Sequence, residues 1–233
     1  VSTKKRIVVF TGAGMSAESG IKTFRDNGGI WEEFKLEDVA TPEAWQRNPK
    51  LVLDFYNQRR KQVMEAKPNR GHIILAELEK FFDVQIITQN IDDLHERAGS
   101  KKILHLHGQI VKSQSSLDPN LVYNMKTSEI NFGEKCEKGS QLRPHIVWFG
   151  EMVPEMENAI EMMANADIFI TVGTSLVVYP AAGLIHYAPP KSIKYLVDPG
   201  DFDSSVLNNL KHIKQGASIG MQILMDELKN LVI

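Results

Sequence analysis

Residues 7–25 read IVVFTGAGMSAESGIKTFR. Ile7 to Phe10 are consecutive apolar, mostly β-branched residues, the pattern of a short strand buried on both faces. Thr11 leads into Gly12-Ala13-Gly14, with Ala17 in the third small position of a G-x-G-x-x-A turn. In such a turn the first glycine permits the bend and the second lets a diphosphate approach the backbone. The small third residue lets a helix pack close on the strand. Free N–H groups opening that helix would face the anion. Glycine-rich loops between strands and helices are common, so the turn alone leaves dinucleotide binding open.

A hydride-transfer site wants a second strand closing on an acidic residue about 20 positions on, to hold a ribose. Glu32 and Glu33 lie near that distance, but within FRDNGGIWEEFKLED, which has no strand-like run ahead of them. A simple dehydrogenase is therefore disfavoured. Phe24-Arg25-Asp26 reads as a loop folding over whatever the glycine turn holds, with a surface salt bridge as the plain alternative for Arg25.

The remaining chain supports an α/β reading. Val84 to Thr88 is a strand followed by Gln89-Asn90-Ile91-Asp92-Asp93, and Ile103 to His107 is another, ending in His107-Gly108. Asp167 to Val172 ends in Gly173-Thr174-Ser175, and Lys194 to Val197 ends in Asp198-Pro199-Gly200. Helical patterns run over His72 to Phe82 and Leu51 to Ala66. In the latter, Val52, Tyr56, Arg59 and Val63 share one face while Arg60 and Lys61 point elsewhere. The plain reading of Arg59 lays its stem on the core and keeps its head in water. Alternating strands and helices predict a Rossmann-like, doubly wound parallel sheet with a smaller inserted lobe. The main domain would comprise residues 1–28, 69–108 and 144–233. Two insertions, 29–68 and the polar, weakly periodic 109–143, would form the lobe. Ligands of open parallel sheets sit outside the carboxyl ends of strands. The glycine turn, the Asn90/Asp92 pair and His107 all fall at such positions.

Composition excludes several other classes. With 42% hydrophobic and 24% charged residues in 233, the chain is ordinary for a globular protein. A net charge of −2 provides no field favouring nucleic acid or anionic lipid. Lys4, Lys5 and Arg6 precede only four apolar residues, unlike a signal peptide, and no run approaches the roughly 18 apolar residues of a membrane span. One cysteine, Cys136, excludes an internal disulfide and fits a reducing cytoplasm.

Taken in order, GAGMSAESGIKTFR, TQNIDDLHERAG, LHGQ, RPHIVWFGE and VGTSLVVYPAAG make the chain resemble the sirtuins, NAD-dependent protein-lysine deacylases. DVATPEAW followed by FYNQRR is similar to the class III branch, whose members remove acidic acyl groups. The resemblance implies that Gly12, Ala13 and Gly14 contact the NAD diphosphate and that Phe24 and Arg25 belong to a covering loop. Gln89, Asn90, Ile91 and Asp92 would line the ribose and nicotinamide pocket. Gly173, Thr174 and Ser175, with Val197, Asp198 and Pro199 nearby, would hold the adenosine side, although the family often has Asn where Val197 or Asp198 stands. His107 matches the catalytic histidine, assisted by Asn90 and Asp92; His105, on the same strand face, is set aside on motif alignment alone. An imidazole suits proton transfer near neutral pH. The implied products are lysine, nicotinamide and O-acyl-ADP-ribose.

Tyr56 and Arg59 match the family's Y-x-x-R pair, and Ala40 its small residue widening the acyl pocket. A guanidinium binds a carboxylate through two parallel N–H bonds and a phenol can add a third, which reweights Arg59 towards an acyl-selecting role. Val147, Trp148, Phe149, Gly150 and Glu151 would pair with an acylated-lysine protein substrate as an added strand, with an apolar core strand as the plain alternative. No nucleic-acid or membrane partner is expected. Sirtuins usually carry two C-x-x-C pairs holding structural zinc. Here Ser113, Ser116 and Gly139 stand at three of those four places and Cys136 at the fourth. Zinc wants thiolate, imidazole or carboxylate, so no metal is expected and packing alone would hold the lobe. ADP-ribosyl transfer onto protein and a non-catalytic NAD-sensing module remain as alternatives.

Overall fold

The computed structural model describes residues 4–21, 34–174, 181–202 and 209–231. Its central strand, β1 (Arg6–Thr11), explains the two-layer wrapping: Ile7 and Val9 enter one apolar cluster, Val8 and Phe10 the other, and all four are fully buried. β1 pairs in parallel with β2 (Asp83–Thr88) on one side and β7 (Ile168–Val172) on the other. Adding β3 (Ile103–His105), β8 (Ile193–Val197) and β9 (Leu210–Ile213) completes a six-stranded sheet of order β3-β2-β1-β7-β8-β9, all parallel. This is the doubly wound order, and its direction reverses between β1 and β7.

Before β1's first long crossover is complete, the chain forms α1 (Gly14–Ala17), α2 (Leu36–Val39), α3 (Pro42–Arg47) and α4 (Pro49–Glu65). Asn48 caps α4 by accepting from Leu51 N at 3.1 Å, with Pro49 opening the helix. α5 (Arg70–Leu78) then leads into β2 and α6 (Leu94–Ala98) follows it. α5 and α8 (Ala217–Lys229) cover one face through Ile74, Leu75, Leu78, Met221 and Leu224. On the opposite face, α7 (Met156–Ala164) and a 3₁₀ helix (Ala181–Tyr187) supply Ala159, Met163, Leu184 and Ile185. A separate antiparallel sheet joins β5 (Val122–Asn124), β4 (Gly108–Ser115) and β6 (Leu142–Ile146), in that order. α4 packs against it through Val52, Tyr56 and Val63, sharing a cluster with Ile110, Ile146 and Trp148.

Several sequence expectations need correction. The helix predicted to Phe82 stops at Leu78, because the chain must turn to enter β2 at Asp83; Lys4 Nζ caps that turn at the carbonyls of Glu79 and Lys80, 2.8 and 2.9 Å away. The strand predicted to end at His107 ends at His105, and Leu106 and His107 form a turn from one sheet into the other. Gly108 makes that turn possible: its φ is +76°, and a Cβ there would stand 2.2 Å from the His145 carbonyl oxygen. Residues 147–151 follow β6 without continuing it as a strand. Ala17 is exposed, so it does not supply the close helix–strand approach expected of the third small residue.

Candidate active site

The close approach is made instead by two loops meeting at the switch point. Gly12 N donates to Val172 O at 3.0 Å, and Gly14 N to Gly173 O at 2.8 Å. A Cβ on Gly14 would lie 2.7 Å from Gly173 Cα, and one on Gly173 would lie 2.2 Å from Met15 N. Glycine is therefore required because backbone meets backbone. The N–H of Gly14 is spent on Gly173 and does not face outwards to an anion, a second correction to the turn as read from sequence.

The loop after β2 is sewn onto this turn. Gln89 N donates to Thr11 O at 2.9 Å, and Gln89 Nε2 to Thr174 Oγ1 at 3.1 Å. Asn90 Nδ2 donates to Gly12 O at 2.9 Å and to Ser16 Oγ at 3.1 Å; Ser16 Oγ in turn donates to Asp92 Oδ2 at 2.9 Å. Asp92 Oδ1 accepts from Leu94 N at 3.2 Å. Burial raises the Asp92 pKa although both bonds oppose it. Ile91 O accepts from Ile110 N at 2.8 Å, tying the same loop to the antiparallel sheet. Ser16 was not singled out from sequence; a hydroxyl one residue beyond the second glycine and its neighbour was the available signal.

Beneath the loop runs a second hydrogen-bond chain. Asn90 N donates to Thr88 Oγ1 at 3.0 Å, Thr11 Oγ1 donates to the same atom at 2.8 Å, and His95 Nε2 lies 3.1 Å from Thr11 Oγ1. With its own proton on Thr88, the Thr11 hydroxyl accepts from His95, so His95 carries its hydrogen on Nε2. The His95 and His72 rings lie 4.9 Å apart, both fully or almost fully buried. Burial holds both pKa values down, that of His72 to about 4.

His107 occupies the turn after β3. Its Nδ1 lies 3.0 Å from Gln89 O, and a carbonyl only accepts, so Nδ1 carries the hydrogen and Nε2 keeps a lone pair. Burial lowers the His107 pKa, with the Gln89 bond opposing it. His105 differs in kind. Its Nε2 lies 2.7 Å from Glu96 Oε1 and its Nδ1 3.3 Å from Asn90 O, so both ring nitrogens are engaged. Geometry thus separates two histidines that only motif alignment had separated.

At the other end of the site, Tyr56 and Ala40 are buried in one cluster, and Phe149 N donates to Ala40 O at 3.0 Å. Burial pushes the Tyr56 hydroxyl up to about 12 against the pull of the neighbouring Arg59 charge. Arg59 turns inwards: its Nε is buried, and burial lowers its pKa while Tyr56 and Asp92 act to raise it. Arg143, which sequence reasoning passed over, organises residues 147–151. Its guanidinium lies 3.3 Å over the Trp148 ring and grips Glu151 at 2.8 and 3.1 Å, while Glu151 Oε2 accepts from Trp148 N at 2.7 Å. The Glu151 carboxylate is committed inside the protein. Val147 N donates to His107 O at 3.0 Å, so the segment is anchored to the turn after β3 as well.

Where the loops after β7 and β8 meet, Gly173 N donates to Val197 O at 2.9 Å. The Val197 side chain packs on α8, where a Cβ at Gly220 would meet its Cγ1 at 2.3 Å, so it has only backbone to offer a ligand. Asp198 Oδ1 closes its own turn on Gly200 N at 2.8 Å, and Pro199 is exposed. Phe24, Arg25 and Ser175 lie outside the described residues.

In the lobe, Cys136 alone of the four positions matched to zinc ligands carries a side chain that binds zinc well. Ser115 Oγ lies 2.6 Å from Ser140 Oγ, which lies 3.1 Å from Cys136 Sγ. A hydrogen-bonded chain of two serine hydroxyls and the Cys136 sulfur, and not packing alone, therefore ties β4 to the 136–140 turn. The Ser140 bond holds the Cys136 thiol down at about 7. Among the described residues no group of three or more His, Cys, Asp or Glu could hold a metal ion.

A doubly wound parallel sheet whose glycine turn, amide–carboxylate loop and histidine meet at the switch point defines a Rossmann-type nucleotide-binding enzyme. Residues 12–180 match the Sir2 family, and the chain belongs to it. It is 55% identical over 234 residues to an NAD-dependent protein deacylase of Bacteroides thetaiotaomicron, covering 98% of each chain. A solved Sir2 homolog–NAD complex superposes with a TM-score of 0.89 at 36% identity, covering 99% of this chain and 91% of that one. A Sir2 structure with a deacetylated p53 peptide and 3'-O-acetyl ADP ribose superposes with a TM-score of 0.78 at 30% identity, covering 96% and 94%.

Proposed function

We propose that this protein is an NAD-dependent protein-lysine deacylase that accepts succinyl and malonyl as well as acetyl groups. The observation carrying this reading is His107. Its Nδ1–H is held by the carbonyl of Gln89, on the same loop whose Asn90 and Asp92 bond the glycine turn and its Ser16. That bond leaves the Nε2 lone pair of the neutral imidazole uncommitted, which supports a role as base.

The residues present suit NAD. The Gly12-Ala13-Gly14 turn follows β1 at the switch point, where open parallel sheets take dinucleotides, and the loop of Gln89 to Asp92, hydrogen-bonded to that turn, supports a role in lining the ribose and nicotinamide. When bound, NAD supplies an activated ribose carbon with nicotinamide as leaving group. Asn90 and Asp92 orient what enters beside them, and His107 Nε2 accepts the proton released when a ribose hydroxyl becomes a nucleophile. Residues 147–151 receive the peptide. Because the N–H groups of Val147, Trp148, Phe149 and Glu151 already have internal acceptors, a peptide laid along them pairs through this segment's carbonyls. Arg59 and Tyr56 meet an acyl carboxylate. The test is nicotinamide release from NAD with and without succinyl-lysine peptide: release that depends on the peptide supports the reading, and peptide-independent or absent release opposes it.

A further inference from the structure

One residue beyond Arg59, turned about 100° around α4, Arg60 is fully buried without a carboxylate partner among the described residues. Its Nε donates to Ile110 O at 2.5 Å and its Nη1 to Asn57 Oδ1 and Ser128 O at 2.8 and 3.0 Å, all uncharged acceptors. Its Nη2, also buried, has no hydrogen-bond partner among the described residues. Buried cations are ordinarily paired with a counter-charge. Burial lowers the Arg60 pKa only to about 10, so the charge persists at neutral pH.

Arg60 forms part of the wall of a cavity of about 320 Å³ between α4, α6 and the antiparallel sheet. Arg97 and Asp93 line it too, 3.4 Å apart, so the three charged side chains sum to +1. The rest of the wall is Met64, Val111, Met125 and Thr127, three of them apolar. Volume, charge and lining select one ligand chemistry: a single negative charge on a small body with some apolar surface. We propose that this cavity is a second ligand site, distinct from the acyl pocket, for a short-chain monocarboxylate whose carboxylate bonds Arg60 Nη2 and whose chain lies on Met64, Val111 and Met125. Nη2 is closed to water in this conformation. Carboxylate entry therefore requires a wall side chain to move aside, and we assign that movement to the half-exposed Met64, an unbranched and adaptable thioether.

Sodium butyrate is the probe, titrated calorimetrically into the full chain without NAD, with butyramide as the uncharged isostere. Butyrate should bind one site and raise Tm, and butyramide should bind about 10-fold more weakly or worse. Arg60→Met should abolish butyrate binding. Because that variant loses three internal hydrogen bonds, Met64→Trp serves as a second test: it fills the cavity from an exposed position and should also abolish binding. Arg59→Met should leave butyrate binding intact. No butyrate binding by the wild type, equal binding of butyramide, retained binding in Met64→Trp, or loss in Arg59→Met with retention in Arg60→Met would each overturn the proposal.

Discussion

His107 Nδ1 stands 3.0 Å from the carbonyl oxygen of Gln89, and this one bond selects the tautomer that leaves Nε2 able to take a proton. Burial of the ring lowers its pKa, so the neutral form persists below the ordinary histidine value of about 6.5. A base must be neutral to act. The acid limb of kcat/KM should therefore fall below pH ~6.5, read from a pH profile; a limb at or above that value contradicts the assignment.

Removing the base tests the same claim differently. His107→Asn should lower deacylation about 10²- to 10⁴-fold with the urea midpoint nearly unchanged, since the ring is only part-buried and makes one hydrogen bond among the described residues. Matching variants at His105 should instead lose stability, because that ring bonds both Glu96 and Asn90.

Arg59→Met should cost about 10- to 150-fold on succinyl-lysine peptide, the worth of a charge-assisted bond, and much less on acetyl-lysine peptide. Paired kcat/KM measurements check this. Equal losses on both peptides would reject Arg59 as the acyl selector.

Among the described residues, Ser16 is the one side chain bridging Asn90 and Asp92. Ser16→Ala should destabilise the fold by about 1–3 kcal/mol, because the buried Asp92 oxygen loses its donor, and should slow nicotinamide release. Denaturant unfolding and a release assay read the two effects. A variant as stable and active as the wild type would remove Ser16 from the site.

His72 and His95 link pH to stability. Both have folded pKa values below the unfolded 6.5, His72 at about 4. The unfolded chain therefore binds more protons in this window, so their stability contribution is complete above about pH 6.5 and is lost as pH falls towards 4. His72 alone should cost about 2 kcal/mol by pH 5. Urea unfolding at pH 7.5 and 5, with and without His72→Gln, measures the difference; an unchanged pH dependence in the variant would contradict the account.

Much of this was legible in the residues because backbone constraint writes itself in sequence. The four apolar residues of β1 must be buried on both faces, and the paired glycines mark a close approach, although the backbone of Gly173 and not only a diphosphate makes it. What escaped notice was mostly polar and inward-facing. β4 looked like loop because two of its buried side chains are Ser113 and Ser115, satisfied by partners distant in sequence. Arg60 was read only as pointing away from the Tyr56 and Arg59 face and Arg143 was passed over, since nothing in their spacing announces the carbonyls of Ile110 and Ser128 or the Trp148 ring. Ala17 was assigned its role by spacing, yet contact with Gly173, supplied by a strand more than 150 residues away, fell to Gly14.

The most direct measurement is mass spectrometry of NAD reactions with acetyl- and succinyl-lysine peptides side by side. The account predicts that both peptides lose their acyl group, the succinyl peptide faster, while nicotinamide and an acyl-bearing ADP-ribose accumulate. A peptide that gains ADP-ribose, or keeps its acyl group while NAD is consumed, would contradict it.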